Sequence, residues 1–201
     1  MHRLLVMGLL EFIHKVLVDH QIPYFIDGGT LLGACREGTM IEHDDDADIG
    51  VWTKHAWRDL LKLTSTFRSS ALTLGSQEYK IDVEIHGDCL YKLFIPGLWC
   101  QDEEGHIIGT PTLDIFRWRE KNGIMELYSM GDRRRFRNCY YKLTELFPLI
   151  LYPLKTPNDR LISVYGAHDG IPYLKRYYSE DCLEVKRRDI RSKENPLAKL
   201  L

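Results

Sequence analysis

Five carboxylates fall within the seven positions of the stretch EHDDDAD: Glu42, Asp44, Asp45, Asp46 and Asp48. Asp46 and Asp48 are two residues apart, so a β-strand here sends both side chains to one face. Two carboxylates aimed at one point repel unless a hard cation sits between them, and oxygen-only donors select Mg²⁺ or Mn²⁺ over zinc. Such an ion is useful chiefly when the substrate is a phosphate, because its open coordination positions accept phosphoryl oxygens. Asp44 shares the parity of the pair but precedes it, and could be a metal ligand, a base or a structural acceptor. Asp45 and Glu42 read as supporting or surface groups.

Upstream, Gly28-Gly29 lets backbone N–H groups approach a phosphate closely, and a short helix beginning near Thr30, its candidate cap, would add a favourable partial charge. A glycine pair alone is usually an ordinary turn, and an aspartate pair alone a solvated surface. Their order and their attachment to two strand-like segments point to one ligand class, a nucleotide-like or sugar-linked di- or triphosphate. Arg36 could reach back to that phosphate from the short helix, or simply pair with Glu37 or Glu42.

The elements that must position these groups follow from periodicity. YFID is a short strand running into the glycines, TLLGACR a helix broken by Gly38, and ADIGVW a second strand in which Ala47, Ile49 and Val51 alternate with Asp48 and Gly50. Ahead of them, residues 1–20 make an amphipathic helix with Leu5, Leu9, Phe12 or Ile13, and Val16 inward. The run Leu4–Leu10 is too short to span a bilayer, although an anchor upstream is left open. TKHAWRDLLKLTSTF reads as a helix capped by Thr53, with Ala56, Trp57, Leu60, Leu61, Thr64 and Phe67 inward. YKIDVEIHG is expected as one strand with Tyr79, Ile81, Val83 and Ile85 on one face, turning at Gly87-Asp88 into CLYKLFI. DEEGH is a further turn, and TLDIF is a short strand carrying Asp114. Beyond Asn122-Gly123 the pattern loosens: RRRFRNCYYKLTELF is partly helical, PLILYPLKTPNDR is extended loop and turn, GIPYLKRYYSE is a closing helix, and the tail Lys186–Glu194 is solvated.

Composition sets outer limits. The 201 residues suffice for one substantial core, and 44% apolar with 28% charged residues is ordinary for a globular chain. With 27 basic against 29 acidic residues there is no global attraction for nucleic acid, so an anionic ligand must be met by local clusters. Cys35, Cys89, Cys100, Cys139 and Cys182 show no zinc-ligand spacing and suit free thiols in a reducing compartment better than a disulfide scaffold, with one or two bridges left open. Arg133, Arg134, Arg135 and Arg137, interleaved with Phe136, make a small footprint for a nucleic-acid groove and fit a clamp for a single anionic substrate better. Tyr140 or Tyr141 could line a choline-like pocket or stack on a base.

The motif YFIDGGTLLGACREGTMIEHDDDADIG closely resembles the signature of the LicD and fukutin family, within the nucleotidyltransferase superfamily of polymerase-beta-type fold. The match runs through Asp27, Gly28, Gly29, Thr30, Leu31, Leu32 and Gly33, then Asp44, Asp45, Asp46, Asp48, Ile49 and Gly50. LDIF at Leu113–Phe116 looks like the family's strand bearing a third carboxylate, here Asp114; Asp82 competes for that position from the polar face of YKIDVEI. ELFPL, TPND and YLKRYY resemble C-terminal elements of the family.

This resemblance implies an α+β, two-layer fold: a nucleotidyltransferase-like mixed sheet packed against helices, in one domain over residues 1–201. The expected catalytic core is about residues 1–122, and a small, mostly helical or loop extension covers about 123–201. It also implies phosphotransfer from a CDP-linked alcohol, such as CDP-choline or CDP-ribitol, to a carbohydrate or glycoconjugate hydroxyl, with release of CMP. On this reading Asp46, Asp48 and Asp114, with Asp44 a further candidate, hold Mg²⁺ or Mn²⁺, and Asp114 accepts the proton of the attacking hydroxyl. A bacterial-type member would work in the cytoplasm, and an animal-type member in the Golgi lumen behind an anchor. Two rivals use the same carboxylates: a nucleotidyltransferase releasing pyrophosphate, and a non-catalytic nucleotide-binding relative.

Overall fold

The computed structural model describes residues 1–42, 44–52, 54–101 and 107–184. His43, the Thr53 cap, the DEEGH turn and the tail Lys186–Glu194 lie outside the described residues. The chain begins α1 (His2–Asp19), β1 (Phe25–Ile26), α2 (Gly28–Glu37), β2 (Asp46–Val51), α3 (Lys54–Lys62) and α4 (Thr64–Arg68). Six strands follow: β3 (Ala71–Leu74), β4 (Gln77–Lys80), β5 (Asp82–His86), β6 (Leu90–Phe94), β7 (Cys100–Gln101) and β8 (Ile107–Gly109). The rest is β9 (Thr112–Lys121), β10 (Ile124–Leu127), α5 (Met130–Arg135), β11 (Tyr140–Lys142), α6 (Leu143–Leu146), β12 (Ile150–Lys155), β13 (Leu161–Gly166) and α7 (Ile171–Tyr177).

A seven-stranded mixed sheet organises these elements, in the order β1-β2-β9-β10-β11 with β6 also on β9 and β5 on β6. The long strand β9 is its centre. Its first half runs parallel to β2 and antiparallel to β6, and its second half pairs antiparallel with β10. Alternation then sorts the side chains. Ala47, Ile49 and Val51 of β2, with Leu113 and Ile115 of β9, are buried, and α1 packs on these two strands with Leu5, Leu9 and Ile13 buried. Burying a side chain of this size contributes about 1.5–3 kcal/mol, so the apolar parity of β2 and β9 dictates which face is left for the aspartates.

Several expectations change in three dimensions. Helix α2 starts at Gly28, with Asp27 in extended conformation as its N-cap, so Thr30 is inside the first turn and is not the cap. Its hydroxyl accepts the backbone N–H of Asp48 at 2.8 Å instead, tying α2 to β2. Gly38, left-handed at φ 64°, ends the helix as expected. The helix after Thr53 is two pieces broken at Leu63; Leu60 and Leu63 are buried, and Leu61 between them is exposed. YKIDVEIHG is likewise split: β4 pairs with β3, β5 pairs with β6, and Ile85 near the free edge is exposed.

The largest difference lies beyond residue 122. Asn122 and Gly123 both have positive φ, 52° and 77°, which matches the right-handed twist of a tight two-residue hairpin. The sheet therefore continues through β10 and β11 rather than ending at the expected core boundary. The proline-rich segment forms the β12–β13 hairpin. Pro153 is tolerated there because a strand of a two-stranded ladder has an unpaired edge toward which the missing donor can face. The closing helix is present as α7, with proline in its first turn. Among the described residues no helix is long and apolar enough to cross a membrane, and Cys35, Cys89, Cys139 and Cys182 are free thiols.

Candidate active site

The sheet register aligns three charged residues in one row: Asp48 of β2 opposes Asp114 of β9, which opposes Lys92 of β6. Residues in register across neighbouring strands share a face, so all three side chains leave the sheet on the side away from α1. Asp46 joins them from two positions earlier on β2. Asp46, Asp48 and Asp114 each offer a carboxylate oxygen lying within 4.8 Å of the others, and the last two residues are only 8% exposed. Burial pushes the Asp114 carboxyl up; Lys92, whose Nζ is 2.7 Å from Asp114 Oδ1, pulls it back.

Helix α2 approaches the same place. Gly28 sits at φ +50°, and a Cβ there would come within 2.6 Å of Asp48 Oδ2. A Cβ on Gly29 would collide with the carboxylate of Asp44. Both glycines are thus needed for the backbone to pass close beside the carboxylates. Asp44 lies in the loop ahead of β2, where Asp44, Asp45 and Asp46 form a second carboxylate trio within 4.8 Å. Behind the glycines, Asp27 is buried and accepts the Tyr141 hydroxyl at 2.8 Å, while its own N–H donates to the Asp48 carbonyl at 3.0 Å. Burial raises the Asp27 carboxyl, and hydrogen bonds from Tyr173, Tyr141 and the Gly28 N–H oppose that rise.

These groups line one wall of a cavity of about 430 Å³, formed by Asp27, Gly28, Asp46, Asp48 and Asp114. The other walls include Phe116, Phe136, Tyr173, Tyr177, Cys139, Asp132 and Arg135. A ligand site of this size with a charged end and aromatic sides suits a small polar molecule carrying a planar or apolar group. The cluster suits a hard divalent cation: its donors are all carboxylate oxygens, and the backbone at Gly28 leaves the space a larger residue would fill.

The sequence of this site has a family. The family model described as LicD/FKTN/FKRP, nucleotidyltransferase domain, matches residues 21–159. The chain belongs to this family. The matched span of the LicD/FKTN/FKRP domain holds Asp27, Gly28, Gly29, Asp46, Asp48, Lys92 and Asp114, whereas Tyr173 and Tyr177 of the cavity wall lie beyond it. Curated relatives include an uncharacterized protein of Rickettsia typhi, 30% identical over 173 residues, covering 86% of this chain and 45% of the relative. An uncharacterized protein of Rickettsia prowazekii is 28% identical over 172 residues, covering 86% of this chain and 53% of the relative. The chain therefore spans about half the length of these relatives. Among solved structures, an antigenic nucleotidyltransferase-like protein from Paracoccidioides brasiliensis aligns at a TM-score of 0.36 and 12% identity. That alignment covers 93% of this chain and 79% of the other.

Of the residues singled out from sequence in this LicD/FKTN/FKRP domain, Gly28, Asp46, Asp48 and Asp114 meet at the cavity, with Gly29, Thr30 and Asp44 immediately behind or beside them. Arg36 does not reach it. It occupies the last turn of α2, at the end away from Gly28, where its guanidinium pairs with Glu37 at 2.9 Å. Asp82 is also elsewhere, half-buried and paired with Arg68 at 3.0 Å. Of the arginine run, Arg135 lines the cavity, while Arg133 donates to the Leu127 and Tyr128 carbonyls at 2.6 Å. Tyr141 is fully buried as the partner of Asp27, and Tyr140 carries Arg176 over its ring. Lys92, Asp132, Cys139, Tyr173 and Tyr177 escaped the sequence reading. The alternation in CLYKLFI puts Lys92 opposite Tyr91 and Leu93, but nothing local states that this face meets Asp114.

Proposed function

We propose that the protein transfers a phosphoalcohol, of the phosphocholine or ribitol phosphate type, from a CDP-activated donor to a hydroxyl of a glycan or glycoconjugate, releasing CMP. One observation carries the reading: three carboxylates from two parallel, adjacent strands lie within 4.8 Å of one another at the wall of a nucleotide-sized cavity. Family membership supports the class of chemistry. Asp46, Asp48 and Asp114 would hold Mg²⁺ or Mn²⁺, which when bound supplies positive charge to the phosphoanhydride oxygens and to the phosphorus under attack.

The remaining work falls to the chain's own side chains. Gly28 keeps the space beside Asp48 open for the donor's phosphates, with the start of α2 directed at them. Phe116, Phe136, Tyr173 and Tyr177 offer faces for the base or the alcohol portion, and Arg135 offers a cation for phosphate oxygen. Asp114, a carboxylate beside the reacting phosphate, accepts the proton of the attacking hydroxyl.

Purified protein incubated with Mg²⁺, a panel of CDP-alcohols and carbohydrate acceptors tests this directly. Acceptor-dependent CMP release with transfer of the labelled phosphoalcohol is expected. Pyrophosphate release from a nucleoside triphosphate, with no CMP from any CDP-alcohol, would replace this reading with nucleotidyl transfer by the same carboxylates.

A further inference from the structure

We propose that Lys92 is a resident counter-cation of the carboxylate cluster, and that its contact with Asp114 sets how tightly the site takes a divalent cation. This rests on the reading of Asp46, Asp48 and Asp114 as a cation site.

The geometry is built into the sheet. Lys92 is the register partner of Asp114, and Asp114 of Asp48, so the order acid, acid, base across β2, β9 and β6 is fixed by backbone pairing. Lys92 Nζ sits 2.7 Å from Asp114 Oδ1, with Asp114 nearly buried and the lysine side chain 29% exposed. An ammonium is a compact charge on a flexible four-carbon stem, so it can leave the carboxylate without any change in the strand. The row continues on the far side: Glu84 of β5 is the register partner of Lys92 and lies exposed, with His86 Nε2 3.4 Å from its carboxylate. Lys92 thus stands between Asp114 inside the site and Glu84, its register partner, at the rim. In the metal-free protein it offsets repulsion among the clustered carboxylates. A divalent cation binding at Asp114 takes over that role and must displace the ammonium, which turns outward toward Glu84 and solvent or meets an incoming phosphate. Lys92 is in these terms a positioning residue, acting through Asp114.

Mn²⁺ alone is the probe, followed by the electron paramagnetic resonance of the free ion, together with melting temperature. K92M keeps the stem and removes the charge. It should bind Mn²⁺ about tenfold more tightly than wild type, because no contact has to be broken. Without metal it should melt at a lower temperature than wild type, and saturating Mn²⁺ should shrink that deficit. K92R, which keeps the charge, should stay near wild type in both readouts, and so should E84Q. Unchanged or weaker Mn²⁺ binding by K92M would overturn the inference; so would K92R resembling K92M, or E84Q shifting affinity as far as K92M does. Wild type that binds no Mn²⁺ would overturn the cation site and this role with it. Mn²⁺ binding without CMP release would count against the proposed reaction and leave the role of Lys92 standing.

Discussion

Asp48 and Asp114 are direct partners across the parallel strands β2 and β9, and their carboxylate oxygens come within 4.8 Å of each other. Parallel pairing needs a long crossover between the strands, so everything from α3 to β8 is the excursion that brings the second carboxylate beside the first.

If that pairing is the reactive centre, D48N and D114N should each lower turnover by about a hundredfold or more, with the far-ultraviolet circular dichroism spectrum intact. D82N, which alters an exposed ion pair away from the cavity, should leave turnover within about twofold of wild type. Steady-state kinetics on the three variants separates the two carboxyl environments, and equal loss in D82N would refute the assignment.

Gly28 and Gly38 both have positive φ, but only Gly28 faces a carboxylate. An added methyl at Gly28 would lie 2.6 Å from Asp48 Oδ2, whereas at Gly38 it would meet nothing within 4 Å. G38A should therefore cost about 1–2 kcal/mol of backbone strain and keep its activity below its melting temperature. G28A should cost about 1–3 kcal/mol and also lose turnover out of proportion to its stability. Denaturant titration beside kinetics checks both, and G28A with wild-type turnover would contradict the close approach.

Tyr141 donates its hydroxyl to the buried carboxyl of Asp27 at 2.8 Å. Y141F keeps the ring but removes that donor, leaving a buried acid short of a partner, which costs about 1–3 kcal/mol. The expected result is a lower denaturant midpoint with an unchanged slope. Equal stability of Y141F and wild type would show that the bond contributes nothing net.

Glu145 links helix α7 to the sheet. Its carboxylate accepts two bonds from Arg176, at 3.1 and 2.6 Å, and one from the Lys142 N–H at 3.0 Å. Burial alone would raise its pKa; Arg176 and the Lys142 N–H outweigh burial and hold it below the ordinary carboxylate value. A depressed folded-state pKa contributes stability above the unfolded value, about 4.3, that is lost as pH falls through the folded one. E145Q should accordingly melt below wild type at pH 7, with the gap narrowing as the pH drops past about 4. A gap that stays constant down to pH 3 would sink this account of the pair.

Local chemistry was legible where neighbours in sequence are also neighbours in space. The parity of Asp46 and Asp48, the left-handed stop at Gly38, the Gly87-Asp88 turn and the apolar face of α1 all follow from periods of a few residues. The same logic misjudged positions where pairing partners decide: Ile85 near a sheet edge, Leu61 in the last turn before a helix break, Pro153 in a two-stranded ladder, and Asn122-Gly123 as a hairpin inside the main sheet. Of the two roles open to Arg36, pairing with Glu37 holds and phosphate contact does not, since its end of α2 lies too far along the helix to serve the N-terminus.

By itself the sequence determined which carboxylates share a strand face, where the glycines let the backbone approach them, and which family the motif resembles. Only the tertiary structure decided that Asp114, and not Asp82, completes the cluster, that Lys92 stands against it, and that Tyr173 and Tyr177 from a late helix help wall the cavity. The physical reason is the range of the forces involved. Alternation and capping act within a turn or two of the chain, whereas strand register is settled by the burial of whole apolar faces drawn from distant segments.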